Sequence, residues 1–217
     1  MSGSSGIQLV LFDLGRVLIR LCDDWKHACR VAGVPLRADL PEPDEQTIAR
    51  AQAIVERYDT GKIDGKTFAR EIAPLRGLTA ADVIAFHNCF LQGPYPGAVE
   101  LIDDLSAAGI RTACLSNTGE VHWRQLNDPR DPNFLPLERL TWRFASHLIG
   151  VMKPHDRIYE HVERTTALPA ASMLFFDDLE PNVAAARRRG WQAHQIQVDS
   201  DPIEQARVVL RRHGVLD

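Results

Sequence analysis

The chain has 217 residues, 45% of them hydrophobic and 25% charged, with a net charge of −4. That length can bury a sizeable core, as one large domain or one domain with a smaller insert, and the acidic balance gives no electrostatic case for nucleic acid or an anionic membrane. No apolar run reaches transmembrane length, and the N-terminus lacks a signal peptide's basic start and apolar middle, so a cytoplasmic location is expected.

Met1 to Gly6 is a serine- and glycine-rich stretch, expected to be a flexible leader outside the fold. The four cysteines, Cys22, Cys29, Cys89 and Cys114, form no C-x-x-C pair and have no histidine partners at metal-ligand spacing. They read as reduced apolar fillers.

Leu9-Val10-Leu11-Phe12 is too short for a helix, and an acid and a nearby glycine follow it at Asp13 and Gly15. Such a run predicts a strand buried on both faces, with Asp13 at its C-terminal tip. In open parallel sheets ligands bind in the crevice beyond the strands' carboxyl ends. Asp13 is therefore placed for chemistry, although a lone acid there can equally close a turn.

From about Leu21 to Gly93 the pattern is helical, punctuated by Pro35, Pro41, Pro43, Gly61 and Pro74. Ile48, Ala51, Val55 and Tyr58 predict the apolar face of one helix, and Asp64 is placed to cap another through Phe68 and Ile72. Gly93-Pro94-Tyr95-Pro96-Gly97 is expected to break regular structure and close a helical insert.

Helix and strand then alternate. Val99 to Leu105 predicts a helix, Gly109 its end, and Ile110 to Leu115 a strand ending in Ser116-Asn117-Thr118-Gly119. Hydroxyl and amide side chains there can donate to an anion without adding negative charge, or can simply cap a turn. Asn127 to Leu140 reads as a surface connection and Trp142 to Ile149 as a strand, followed by Lys153-Pro154. Lysine before proline is held in extended backbone, from which its ammonium can reach a phosphate or carboxylate.

Ile158 to Val162 continues a helix, and Ser172 to Phe176 is a second apolar run, ending in Asp177-Asp178. Adjacent acids at a buried tip repel unless a cation or donor network holds them, and Mg²⁺ suits carboxylates and phosphates. Pro181 and Asn182 begin the next helix, Gly190 ends it, Gln192 to Val198 is a weaker strand, and Ile203 to Arg212 closes the chain as a helix. Arg187-Arg188-Arg189 reads as a solvated helix end complementing the macrodipole. The whole predicts an α/β protein with a parallel sheet covered on both faces.

The ordered set Asp13, Ser116-Asn117, Lys153-Pro154 and Asp177-Asp178 resembles the four motifs of the haloacid dehalogenase superfamily. Most members of that superfamily are Mg²⁺-dependent phosphohydrolases working through an aspartyl-phosphate. Leu115 to Thr118, Lys153 to Tyr159, and Phe175 to Asp178 with Asn182 look narrower still, similar to alpha-glucose-1-phosphate phosphatases and the N-terminal phosphatase domain of soluble epoxide hydrolases.

The resemblance implies a Rossmann-like core over residues 7–20 and 95–217, with a helical cap over 21–94. It implies Asp13 as nucleophile, Ser116, Asn117 and Lys153 as phosphate ligands, and Asn182 in support. Mg²⁺ would be held by Asp13, the Gly15 carbonyl and Asp178, with Asp177 a weaker ligand or an outer partner. The substrate implied is a small phosphorylated metabolite, such as a sugar 1-phosphate.

Most phosphatases of the superfamily have an aspartate where this chain has Gly15. Three consequences are open: an acidic leaving group, a substitute acid from Asp23, Asp24 or His27, or a phosphate-sensing or partner-binding protein without efficient turnover. A haloacid dehalogenase is the further alternative, for which the resemblance implies an aromatic residue at position 15. Arg16 reads as a phosphate contact or a salt-bridged flap residue, His122, His147 and His155 as structural or exposed, and Trp25 and Trp123 as core or interface.

Overall fold

The computed structural model describes residues 6–36 and 42–217, so Met1 to Ser5 of the leader and Pro41 lie outside it. Strand β1 (Leu9–Phe12) is buried along its whole length at the centre of a five-stranded sheet. The sheet runs β5 (Trp142–Ala145), β4 (Arg111–Ser116), β1, β6 (Met173–Asp177), β7 (Gln192–Gln195), every pair parallel.

Alternation along β1 divides the core between two faces. Val10 and Phe12 pack with α5 (Ala98–Ala107) and α10 (Pro202–Arg212), while Leu9 and Leu11 pack with α8 (Asp156–Thr166) and α9 (Glu180–Arg188). Phe12 lies opposite Cys114 on one side and Phe176 on the other, so the strands end level. Asp13, Ser116 and Asp177 thus reach one edge of the sheet.

Four helices fill the stretch between β1 and α5: α1 (Trp25–Val31), α2 (Glu45–Asp59), α3 (Gly65–Arg76) and α4 (Ala80–Asn88). They bury a core of their own, including Ala51, Tyr58, Phe68, Ile72 and Phe86. Asp64 caps α3, accepting from the Thr67 N–H at 2.8 Å. The chain enters and leaves this helical unit through a short antiparallel pair, β2 (Ile19–Leu21) and β3 (Leu91–Pro94).

Several expectations need correction. Gly93 and Pro94 end a strand instead of breaking regular structure, because β2 supplies the partner that local sequence does not reveal. Pro74 lies inside α3, in its last turn. The buried face of α2 is Ala51, Ile54 and Tyr58, leaving Ile48 and Val55 exposed. Strand β5 stops at Ala145 and turns into α7 (Ser146–Ile149), and β7 stops at Gln195. The connection over 127–140 anchors itself with buried Leu135, Leu137 and Leu140, and Asn133 accepts from the Gly93 N–H at 2.9 Å. Of the arginine triplet, Arg187 donates to the Ala193 carbonyl and Arg189 clamps Glu163 at 2.6 Å, so only Arg188 fits a solvated end.

The cysteines are free; Cys22, Cys29 and Cys114 are buried, and burial pushes the Cys114 thiol up to about 12.

Two close approaches seat the helical unit on the sheet. Gly61, in the left-handed region at φ +68°, lets the end of α2 lie against the His147 carbonyl of α7. Gly119 lies under the Tyr58 ring, whose hydroxyl accepts from the Val121 N–H at 3.1 Å, at the start of α6 (Glu120–Asn127). A β-carbon at Gly119 would fall inside the ring. Gly119→Ala is therefore expected to destabilise by about 1–3 kcal/mol, measured by urea unfolding, with Tyr58→Phe much milder.

Candidate active site

At the sheet's carboxyl edge, carboxylate oxygens of Asp13, Asp177 and Asp178 lie within 4.8 Å of one another. Each is there for a local reason. Asp13 leaves β1 hydrogen-bonded through its N–H to the Phe176 carbonyl at 2.8 Å, and its Oδ1 accepts from the Leu14 N–H. Asp177 is the last residue of β6 and is fully buried, whereas Asp178, one residue on, is partly exposed.

Asp177 is saturated. Its Oδ1 accepts from the Leu179 N–H and the Asn182 side chain, each at 2.9 Å, and its Oδ2 accepts from Lys153 Nζ at 2.7 Å. Lys153 also lies 3.1 Å from Asp13 Oδ1 and is itself wholly buried. One ammonium thus faces three carboxylates, and two negative charges are left unbalanced when all ionise.

Burial is the main influence that pushes Asp13 up to about 7, with Asp177 and Asp178 adding to it and Lys153 opposing. Burial also raises Asp178, helped by Asp177 and opposed by Arg16 and Lys153. Burial disfavours the Lys153 ammonium, but Asp13 and Asp177 outweigh it and hold Lys153 above the ordinary lysine value. A hard divalent cation fits this all-oxygen, electron-rich donor set, which is the chemistry Mg²⁺ takes.

The Asn117 side chain has another task than the expected phosphate contact. Its Nδ2 donates to the Lys153 carbonyl at 2.9 Å and its Oδ1 accepts from the Lys153 N–H at 2.8 Å, which fixes the lysine's backbone. Asp24 caps α1, with its carboxylate on the His27 N–H, and His27 pairs with Asp23 at 3.1 Å. None of these three lines the cavity described below. Arg16, at φ +59°, donates to the Asp23 carbonyl at 3.0 Å and so ties the β1 turn to α1. His147 donates to the Thr118 carbonyl at 2.9 Å, and His155 caps α8.

From the strand tips a cavity of about 300 Å³ runs into the helical unit. Gly15, Ser116 and Asn117 form its floor, and its walls are mostly apolar, including Leu21, Trp25, Phe68, Ile72 and Phe90. His87 and His122 stack in the wall at 4.1 Å, and burial holds both below the ordinary histidine value. Trp25 sits under the Arg76 guanidinium at 4.8 Å, so it belongs to the cavity, while Trp123 packs on the core beside His147.

Leu21 closes over Gly15. A β-carbon there would come 2.9 Å from Leu21 Cδ1. The place where a side chain at position 15 would stand is therefore taken by hydrocarbon.

The model of the haloacid dehalogenase-like hydrolase family matches residues 7–190. The chain belongs to that family. Among solved structures, this HAD-like hydrolase resembles a predicted HAD-like family hydrolase from Porphyromonas gingivalis at TM-score 0.75 and 24% identity, covering 94% of this chain and 98% of that one. It also matches a HAD family enzyme from Bacteroides thetaiotaomicron, determined in complex with magnesium and inorganic phosphate, at TM-score 0.70 and 22% identity, over 90% and 96% of the two chains. Among curated proteins it is 26% identical over 137 residues to a sesquiterpene phosphatase of Aspergillus oryzae, covering 62% of this chain and 68% of that one. It is 25% identical over 212 residues to mouse acyl-CoA dehydrogenase family member 10, covering 91% of this chain but only 18% of the mouse protein.

Among the described residues no helix is long and apolar enough to cross a membrane.

Proposed function

We propose that this hydrolase is a Mg²⁺-dependent phosphomonoesterase whose substrates carry an apolar group. The observation that carries the reading is the cluster of Asp13, Asp177 and Asp178 around buried Lys153, at the same strand tips whose Gly15, Ser116 and Asn117 line an apolar cavity. A carbon–halogen hydrolase has no need of three acids at one point, whereas phosphoryl transfer needs a carboxylate nucleophile beside a cation that masks phosphate charge. The phosphatase relative and the magnesium- and phosphate-bound structural neighbour point the same way.

Mg²⁺ would be held by Asp13, Asp178 and the Gly15 carbonyl, with Asp177 behind them, and when bound it supplies charge neutralisation at the phosphate. Asp13 attacks phosphorus in line and becomes the aspartyl-phosphate. Lys153, anchored by Asp177 and by the Asn117 side chain, presents its ammonium to the phosphoryl oxygens. The Ser116 hydroxyl and the Asn117 backbone N–H bind those oxygens too. Asn182 orients Asp177 through its side-chain amide. Catalysis of this kind is positioning and electrostatics.

The ester group enters the cavity, whose walls offer a sugar's hydroxyls few partners. That lining supports an apolar alcohol over the sugar 1-phosphate that the sequence resemblance suggests.

The test is Mg²⁺-dependent phosphate release from n-alkyl phosphates of four to eight carbons, beside hexose phosphates. Each methylene buried adds about 0.8 kcal/mol, so kcat/KM should climb roughly fourfold per carbon until the cavity is full. A flat series with fast hexose phosphates would return the substrate to the sugar class. No release from any ester by folded protein would favour the phosphate-sensing reading, for which the Leu21 cover over Gly15 is the structural argument.

A further inference from the structure

The cavity contains one acid that the proposed chemistry has not used. Asp59 is the last residue of α2, partly exposed, and lines the cavity together with Gly15, Ser116 and Asn117. Among the described residues its carboxyl has neither a hydrogen bond nor an ion pair. Its backbone is nevertheless fixed over the strand tips: the Ser146 hydroxyl donates to the Asp59 carbonyl and accepts from the Thr118 N–H at 2.9 Å.

An unpaired carboxyl at a helix C-terminus, where the dipole disfavours an anion, and among apolar walls is kept neutral at a structural cost. Natural chains retain such groups chiefly where they act. We infer that Asp59 is the proton donor to the leaving-group oxygen, taking the part that Gly15 cannot play. The inference rests on the phosphomonoesterase reading.

In the first step the Asp13 carboxylate forms its bond to phosphorus as the ester P–O bond breaks, and the departing alkoxide takes the Asp59 proton to leave as alcohol. In the second, water attacks the aspartyl-phosphate, Asp59 carboxylate takes the water's proton, and phosphate and Asp13 are released. Atoms and charges balance without a further reactant.

Burial alone pushes Asp59 up to about 7, which matches a proton donor to neutral pH. The titratable groups that line the cavity with it are His87 from α4, His122 from α6, Arg76 from α3 and the adjacent Tyr58 on α2, while His147 on α7 follows the Ser146 that holds the Asp59 carbonyl. Burial holds all three histidines below the ordinary value, so they stay neutral where Asp59 titrates.

The experiment compares kcat/KM with Mg²⁺ for p-nitrophenyl phosphate, whose leaving group departs unprotonated, and hexyl phosphate, whose leaving group needs a proton. In Asp59→Asn the loss on hexyl phosphate should exceed that on p-nitrophenyl phosphate by about 10²-fold or more. In the unaltered protein, hexyl phosphate turnover should fall as pH rises through about 7 while p-nitrophenyl phosphate turnover lacks that limb. The pH comparison needs no variant and so survives a folding defect. Equal losses on the two esters, or the same limb on both, would overturn the inference while leaving the phosphatase reading intact. No release from p-nitrophenyl phosphate by the unaltered protein would overturn that reading and the inference with it.

Stability gives an independent sign. The folded protein keeps the Asp59 proton up to about 7, whereas the unfolded chain loses it near 4. The stabilisation is full below about 4 and is lost as pH rises through about 7. The melting temperature of Asp59→Asn should therefore gain on that of the unaltered protein between pH 5 and pH 8.

Discussion

Replacing Asp13 by asparagine is expected to lower phosphate release on the order of 10⁴-fold or more while leaving the fold in place. The carboxylate is the only group at the tip of β1 able to form an acyl phosphate, and an amide oxygen is too weak a nucleophile to substitute for it. The geometry otherwise tolerates the change. An asparagine Oδ1 can still accept from the Leu14 N–H, and Lys153 keeps Asp177 at 2.7 Å. Removing one of three crowded carboxylates also relieves repulsion from Asp177 and Asp178, so the variant should melt within a few degrees of the unaltered protein. The measurement is single-turnover phosphate release with mass analysis of the intact chain. The unaltered protein should show a transient phosphate adduct, and Asp13→Asn none. A variant that kept more than a few per cent of the rate, or that still carried the adduct, would move the nucleophile elsewhere.

The central strand and the place of Asp13 at its tip were legible because both are local. Four apolar residues in a row fit only a doubly covered strand, and an acid directly after them must lie at its tip. The places of Asp177, Ser116 and Lys153 were legible for the same reason, the first two ending strands and the third preceding a proline. What the sequence left hidden depends on partners far along the chain. The pairing of Leu21 with Leu91 makes a strand of residues that look like a breaker, and it is this pairing that brings Leu21 over Gly15. Asn117 reads as a phosphate ligand by residue type, and only the approach of Lys153 from 36 positions away shows that its side chain is committed elsewhere.

Asp59 is an intermediate case. Its position in the last turn of α2, against the helix dipole and before Thr60-Gly61, is a sequence signal, but nothing local says that the helix end points into a cavity. Asp23, Asp24 and His27, which read as a substitute acid from the cap-side loop or as a helix start, cap and pair at the start of α1.

Replacing Lys153 by methionine is expected to have the largest effect on stability, because it removes the one cation from a buried cluster of acids. Asp177 would keep its bonds from Asn182 and Leu179 but lose its counter-ion, and Asp13 would lose the group that opposes its burial. Breaking a buried pair from one side costs about 3–5 kcal/mol, a large share of a typical domain's stability. In a chain of this size that amounts to a drop of roughly 6–20 °C in Tm. The penalty depends on pH with a defined sign. Asp13 and Asp178 already hold their protons in the folded state above the values they have unfolded, and losing the opposing Lys153 strengthens this, so the variant is least impaired at low pH and loses ground as pH rises through 7 and beyond. Urea unfolding at pH 5 and pH 8 would read this as a wider gap from the unaltered protein at pH 8. Adding Asp177→Asn to Lys153→Met should recover part of the loss, since the amide needs no counter-ion and can still meet Asn182. A gap that stayed constant with pH, or a double variant less stable than the single one, would mean that packing of the lysine's stem over Phe175, at 5.4 Å from its ammonium, outweighs its charge.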